Sequence, residues 1–206
     1  MTADGQQIAG IVLAGGRSTR MGTDKASLVL DGRTLLQRTV DALSQVVTEI
    51  VVVRAEGQQL PALSSPSPIT VVEDSLDDQG PLVGIAEGLR AVSCDVALVT
   101  ACDMPFLRPQ LLRMLVERAS VGRRFVVPMY LDRPQPLCSA FRRDALEVID
   151  AQIAAGERKI MAVARELDVD RVSPEHWTAA DPDGRSFENV NTPEEFEAAL
   201  ARASDG

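Results

Sequence analysis

Residues 8–25 read IAGIVLAGGRSTRMGTDK, a short apolar run followed by a turn rich in glycine and basic residues. The run 8–14 is continuously apolar, which is typical of a β-strand covered on both faces. Four further runs of this kind lie at 49–53, 69–72, 95–100 and 124–127. Helical patterns separate the runs, so the chain is expected to alternate strands with helices.

Capping residues indicate where the helices begin. Starts are expected at Thr34, Pro81 and Pro109, after Arg142, and at a capping box formed by Thr192 and Glu195. Gly156 is expected to stop the fourth helix, and the last one carries an apolar stripe of Phe196, Ala199 and Leu200. Segments 61–68 and 133–136 are interpreted as loops, and 168–187 is the least regular region. The prediction is one α/β domain over 1–206, with three layers and a mostly parallel sheet between helices.

The composition argues against several classes of function and binding partner. The formal charge of −9 argues against general nucleic-acid binding, which depends on neutralising phosphates. No apolar run approaches the roughly 20 residues that span a bilayer, so no membrane association is expected. The odd set Cys94, Cys102 and Cys138 favours buried thiols in a reducing, cytoplasmic compartment over disulfides or zinc.

The turn after the first strand is a candidate phosphate cradle. Ligands of such sheets bind at the carboxyl ends of the strands, and successive backbone N–H groups of a glycine turn can hold phosphate oxygens. The glycines are Gly15, Gly16 and Gly22, and the nearby cations are Arg17, Arg20 and Lys25. The spacing matches neither a P-loop nor a dinucleotide fingerprint. Taken alone, a solvated turn with surface arginines is an equally good interpretation.

Polar residues follow the other strands too. Arg54 follows the second, Asp74 the third, and Asp103 the fourth. Asp103 sits just past a buried run, where a charge is costly unless Mg²⁺ pairs with it or it caps a turn. Because all these groups are expected at one edge of the sheet, together they favour phosphoryl or nucleotidyl transfer. The lone histidine, His176, is interpreted as a surface residue.

Several motifs resemble a known family. Residues 13–25, LAGGRSTRMGTDK, are similar to the signature of the molybdenum cofactor guanylyltransferases (MobA), and more widely to Rossmann-like, GT-A-type nucleotidyltransferases. Further matches in the expected order are EDS at 73–75, GPLVG at 80–84, CDMP at 102–105, GERK at 156–159 and NVNTPEE at 189–195. The resemblance spans nearly the whole chain and is most specific in its first and last motifs.

The resemblance implies transfer of GMP from GTP to the terminal phosphate of molybdopterin. It implies Mg²⁺ as cofactor, with Asp103 as the metal ligand and Lys25, Arg20 and Asp103 as catalytic residues. The nucleotide is expected to contact Leu13, Ala14, Gly15, Gly16, Lys25, Arg54, Asp74, Gly80 and Asp103. Asn191 is expected to assist the metal or the second substrate, and Arg158 and Lys159 to meet the anionic pterin.

Alternatives stay open at this point. The family commonly has an asparagine where this chain has Arg54, so CTP or another nucleotide, with a pterin, sugar-phosphate or alcohol-phosphate acceptor, is a second hypothesis. A third is a regulatory nucleotide-binding module, although the chain keeps Lys25, Asp74 and Asp103. The expected state is a monomer, with transient contacts to molybdoenzymes or other cofactor-assembly proteins that no residue here marks.

Overall fold

The computed structural model describes residues 7–15, 24–74 and 80–204. Its strands are β1 (Ile8–Leu13), β2 (Val29–Leu30), β3 (Arg33–Thr34), β4 (Glu49–Ala55), β5 (Ile69–Asp74), β6 (Val96–Ala101), β7 (Phe125–Tyr130), β8 (Arg133–Pro134), β9 (Cys138–Arg142) and β10 (Val169–Val172). Its helices are α1 (Leu35–Ser44), α2 (Pro81–Ala91), α3 (Pro109–Ser120), α4 (Leu146–Ala154), α5 (Ile160–Val163), α6 (Pro174–Trp177) and α7 (Pro193–Ser204).

The main sheet has the strand order β10-β7-β9-β6-β1-β4-β5, with β8 paired to β7. Strands β6, β1, β4 and β5 are mutually parallel, and β10 is parallel to β7. Strand β9 runs antiparallel to both of its neighbours. The mostly parallel sheet of the sequence prediction is confirmed. Strand β9 was not predicted from the sequence. Segment 133–136 was expected to be a loop, but it contains β8 because the chain turns back onto β7.

Alternate residues of the central strands pack into two separate cores. Ile8 and Val12 of β1 join the core that contains side chains of α1 and α3. Ala9 and Ile11 join the opposite core, under α2 and α4. This alternation follows from the period of two in a strand, and it gives the three-layer α/β architecture that the sequence predicts.

The helices begin largely where their caps predict. Thr34 Oγ1 accepts from the backbone N–H of Gln37 at 3.1 Å, and Pro81 and Pro109 each open a helix. Gly156, at φ +89°, follows the end of α4, where a positive φ is easy only for glycine. One residue of the expected stripe on α7 is corrected: Leu200 is exposed, whereas Ala199 is buried.

The third predicted strand differs from the expectation of full burial. Val71 of β5 is 47% exposed, because β5 is the last strand in the described sheet and lacks a neighbour there. The irregular region 168–187 supplies β10 and α6, which were not assigned from sequence. Within the described ranges, no helix is long and apolar enough to cross a membrane.

Candidate active site

Four strand ends meet at one edge of the sheet. Leu13, the last residue of β1, pairs with Val53 of β4 on one side and with Ala101 of β6 on the other. Ala55 at the end of β4 pairs with Asp74 at the end of β5. Because these strands are parallel and end at similar heights, the segments that follow them lie side by side. This is the edge at which ligands bind in open α/β sheets.

The end of β1 is held tightly against β4. The backbone N–H groups of Ala14 and Gly15 both donate to the carbonyl of Val53, at 2.8 and 3.2 Å. A Cβ on Gly15 would lie 2.9 Å from the backbone nitrogen of Ala55, so a side chain does not fit there. The carbonyl of Leu13 accepts from Cys102 N–H at 3.0 Å, which joins β1 to the segment after β6. Gly16, Arg17, Arg20 and Gly22 lie outside the described residues.

Lys25 is brought to the edge by a short 3₁₀ turn, Lys25–Ser27. Asp24 caps this turn, since its Oδ1 accepts from Ala26 N–H at 3.0 Å. The ammonium of Lys25 donates to Asp103 Oδ2 at 3.1 Å and to Asn191 Oδ1 at 2.7 Å. Residues far apart in sequence thus meet around one cation. The Lys25 and Asp103 side chains are 21% and 18% exposed, so water and small ligands can reach the pair.

Asn191 is positioned by the start of α7. The carboxylate Oε2 of Glu195 accepts from the N–H groups of Asn191 and Thr192, at 2.6 and 3.2 Å, and Thr192 Oγ1 accepts from Glu195 N–H at 3.2 Å. This is the predicted capping box, and it fixes the residue just before the helix. The carbonyl of Asp103 also accepts from Val190 N–H at 2.9 Å. The cap of the last helix is therefore docked beside Asp103.

The oxygens around Lys25 suit a hard divalent cation. Asp103 Oδ2 and Asn191 Oδ1 converge on the same point, and carboxylate and amide oxygens are preferred ligands of Mg²⁺. No cluster of three or more His, Cys, Asp or Glu side chains that could hold a metal occurs within residues 7–15, 24–74 and 80–204. Such a donor set fits Mg²⁺ bound through one carboxylate together with substrate phosphates and water, rather than a closed structural metal site.

Asp74 and Gly80 lie near the start of α2. A Cβ on Gly84, in the first turn of that helix, would lie 3.7 Å from Asp74 Oδ2 and 3.2 Å from a methyl group of Leu13. Gly80 precedes Pro81 with φ +88°, and a Cβ there would meet the carbonyl of Arg158 at 3.2 Å. The structure therefore brings the third strand end and the segment around Arg158 to the same helix terminus.

Arg54 lies at the end of β4 but contacts protein groups. Its Nη2 donates to Glu73 Oε1 at 2.7 Å across the β4–β5 pair, and its Nη1 donates to the carbonyl of Gln58. These contacts hold the turn after β4, a role that sequence analysis did not foresee. A pairing partner on a neighbouring strand has no signature in the sequence around Arg54.

Arg158 and Lys159, which are both expected to meet the acceptor, have different surroundings in the structure. The guanidinium of Arg158 donates to the carbonyls of Ile153 and Glu157, at 2.9 and 2.8 Å, and so caps the end of α4. Lys159 is exposed. Hydrogen bonds from the N–H groups of Lys159 and Arg158 lower the pKa of the Glu157 carboxyl.

The cysteine and histidine side chains are poorly placed for nucleophilic catalysis. Cys94, Cys102 and Cys138 are buried and free, as expected. Burial raises the pKa of all three thiols, to about 11 for Cys94, and an inert thiol results. His176 lies in α6 with its side chain 51% exposed, in agreement with a surface role.

One residue beside the turn after β4 escaped sequence analysis. Gln58 contacts both Ala14, which follows β1, and Asp24, which precedes the turn of Lys25. In the sequence, Gly57 is a local signal for a turn at this position. Its φ of +70° in the structure allows the chain to fold back. A glycine followed by glutamine is common in loops, so this signal would not have selected Gln58.

Comparison with known proteins agrees with this geometry. A molybdenum cofactor guanylyltransferase from Desulfosudis oleivorans is 35% identical over 200 residues, covering 97% of each chain. A probable molybdenum cofactor guanylyltransferase from Mycobacterium avium is 39% identical over 207 residues, covering 98% of this chain and 100% of the relative. The crystal structure of molybdopterin-guanine dinucleotide biosynthesis protein A from Archaeoglobus fulgidus superposes with a TM-score of 0.81 at 27% identity, covering 96% and 100%.

The fold, the site and these relatives define a nucleotidyltransferase enzyme. Residues 10–172 match the family described as the MobA-like NTP transferase domain. The chain belongs to this family, and the family predicted from its motifs is confirmed.

Proposed function

We propose that the chain transfers GMP from GTP to the terminal phosphate of molybdopterin, with release of pyrophosphate and with Mg²⁺ as cofactor. The observation that carries the proposal is the convergence of Lys25, Asp103 and Asn191 at the edge where the glycine-basic turn follows β1. The names of the full-length relatives supply the choice of nucleotide and acceptor.

The chemistry asks for positioning and charge neutralisation. An oxygen of the acceptor phosphate forms a bond to the α-phosphorus of GTP, and the bond from that phosphorus to the bridging oxygen of pyrophosphate breaks. The acceptor phosphate is already largely ionised at neutral pH, because its second pKa is about 6. A general base is therefore unnecessary, which agrees with a site built from lysine, aspartate and asparagine.

The chain's residues divide the work as follows. The ammonium of Lys25 neutralises phosphate oxygens of the nucleotide. Asp103 and Asn191 would hold Mg²⁺, which would supply neutralisation of the charge that develops on phosphate oxygens. Lys25 contacts the same two oxygens, and its flexible side chain can turn from them toward the nucleotide.

The acceptor is placed on the side of Lys159. This exposed lysine follows Arg158, whose carbonyl lies against Gly80 at the start of α2. The positive end of α2 and the ammonium both favour an anionic group. Because Arg158 caps α4, Lys159 is the member of the pair proposed to contact the acceptor phosphate.

Product analysis tests the proposal directly. The chain is incubated with molybdopterin, Mg²⁺ and each of GTP, CTP, ATP and UTP, and the pterin product and pyrophosphate are measured. The expected result is a GMP adduct formed fastest with GTP and abolished by EDTA. If the CMP adduct forms faster than the GMP adduct, the preferred nucleotide is CTP rather than GTP. Nucleotide binding without any adduct would favour a regulatory module.

A further inference from the structure

The turn after β4 folds Gln58 back over the end of β1. The N–H of Gln58 donates to the carbonyl of Ala55 at 3.1 Å, which closes a four-residue turn. Gly57 occupies the third position with φ +70°, a conformation that glycine adopts without strain. The Gln58 carbonyl accepts from the guanidinium of Arg54, so the turn is held from both sides.

The side chain of Gln58 links three backbone segments. Its Nε2 donates to the carbonyl of Ala14 at 3.0 Å and to Asp24 Oδ2 at 2.8 Å. Its Oε1 accepts from Ala55 N–H at 3.0 Å. Ala14 and Asp24 are the residues on either side of 15–23, the glycine-basic segment of the sequence. Only a side-chain amide offers two donors and an acceptor in this arrangement.

The contact extends to Lys25 through Asp24. One oxygen of the Asp24 carboxylate accepts from Gln58, and the other caps the turn that begins at Lys25. The lysine ammonium then reaches Asp103. A change at Gln58 is therefore expected to reach both the end of β1 and the direction of the lysine.

We propose that Gln58 is a positioning residue that clamps the end of β1 to the turn of Lys25 for nucleotide binding. The inference rests on the proposed function only for the identity of the nucleotide. A group that is already held in its binding position loses less conformational entropy when a ligand binds. The clamp therefore acts mainly on nucleotide affinity, and less on the rate once the nucleotide is bound.

Binding measurements test the clamp separately from turnover. Gln58→Ala is expected to raise the Kd for a fluorescent GTP analogue and the KM for GTP about tenfold, the order expected for losing a hydrogen bond to a charged group. The kcat should change less than threefold. Gln59→Ala is the matched control, because Gln59 is exposed and adjacent, and it should behave as the wild type. Urea unfolding of both variants measures their global stability.

A reversed pair tests the contact with Asp24. Gln58→Glu places a carboxylate beside Asp24 and should weaken binding more than Gln58→Ala does. Adding Asp24→Asn removes the repulsion and supplies a donor from the opposite side, so it should recover part of the affinity. Only a role through this contact gives that rescue.

Distinct outcomes separate this inference from the proposed function. Unchanged affinity in Gln58→Ala, an equal loss in Gln59→Ala, or no rescue by Asp24→Asn would overturn the clamp. If the wild type binds CTP, ATP or UTP but not GTP, the proposed guanylyl transfer fails and the clamp is measured with the nucleotide that binds. A wild type that binds none of the four overturns both.

Discussion

Asp103 and Asp181 each pair with a cation, but they lie in contrasting regions. Asp103 is at the carboxyl edge of the sheet, 18% exposed, beside a lysine that also contacts Asn191. Asp181 is completely buried, and its Oδ2 accepts from Ser186 N–H at 2.9 Å. Arg108 Nε lies 3.0 Å from its other oxygen, although it is off the line of a hydrogen bond.

The surroundings of the two acids explain their difference. Near Asp181, Phe187 packs against Tyr130 and Trp177, each with ring centroids 5.0 Å from its own, so the loop after α6 is closed by aromatic contacts. Near Asp103, the partner is the flexible ammonium of Lys25, which another cation can replace. An ion pair whose partner can be exchanged is suited to ligand binding, whereas one tied to a buried backbone N–H holds a loop in place.

The largest expected effect is the loss of transfer in Asp103→Asn. The amide keeps the size of the side chain but removes the negative charge that pairs with a cation. We expect kcat to fall about 1,000-fold, the upper range for removing one group that stabilises transition-state charge. Steady-state pyrophosphate release measures kcat, and the thermal midpoint should stay within about 2 °C of the wild type.

Asp183→Asn is the control for Asp103→Asn, because Asp183 is 66% exposed and pairs with the partly exposed Arg108. It should keep the wild-type rate. If Asp103→Asn keeps more than a tenth of the wild-type rate, the role assigned to the exposed acid is wrong.

The next effect should appear in stability, at the buried acid. Asp181→Ala leaves the Ser186 N–H and the Arg108 guanidinium without their carboxylate. We expect the free energy of unfolding to fall by about 2–3 kcal/mol. This loss is smaller than for a fully buried pair because Arg108 is partly exposed. Urea denaturation measures this, while kcat at 20 °C should remain within about twofold. A large loss of kcat in a stable variant would remove the distinction between the two acids.

A smaller effect is expected from Gly184→Ala, in the loop that Asp181 holds. Gly184 has φ +65°, and a Cβ would lie 2.5 Å from the Tyr130 ring. Gly32 has a similar φ of +73° with open space around it, so Gly32→Ala measures the backbone cost alone. We expect Gly184→Ala to lower the unfolding free energy by about 1–2 kcal/mol more than the control. Equal losses would show that Tyr130 moves away without cost.

Sequence reasoning found the parts of this fold that depend on local chemistry. The buried runs identified β1, β4, β6 and β7, and capping residues such as Thr34 identified helix starts. Strand β9 escaped because its segment is too short and mixed to stand out, and it becomes a strand only by pairing between β6 and β7. Strand β10, with sequence VDRV, was missed for the same reason.

In the candidate site, too, some features were predicted from the sequence and others were not. Lys25 and Asp103 were predicted from their places after strands, and the structure brings them together. The expected contact of Arg54 with the nucleotide stays a prediction. Its contacts with Glu73 and Gln58 depend on strand register and on a turn. Contacts made across the sheet by single polar side chains leave no periodic pattern, so sequence alone did not indicate them.

A third carboxylate, Glu49, extends the comparison to the opposite edge of the sheet. Its Oε1 accepts from Ser93 N–H at 2.7 Å and from the thiol of Cys94 at 3.0 Å. Partial burial opposes ionisation, but these hydrogen bonds outweigh it and lower the pKa of Glu49 from its ordinary value of 4.5. A carboxyl whose pKa is lower in the folded state stabilises the fold above its unfolded pKa, and this contribution is lost as the pH falls through the folded pKa.

Glu49→Gln should therefore have the smallest effect, and a pH-dependent one. At pH 7 we expect the variant to be less stable than the wild type by under about 1 kcal/mol, because Glu49 is partly exposed and solvent screens it. The difference should shrink as the pH falls below 4.5. Urea midpoints of both proteins between pH 7 and pH 3.5 measure it. A difference that grows on acidification would mean that the folded state favours the protonated form of Glu49, and the assigned role of these hydrogen bonds would be wrong.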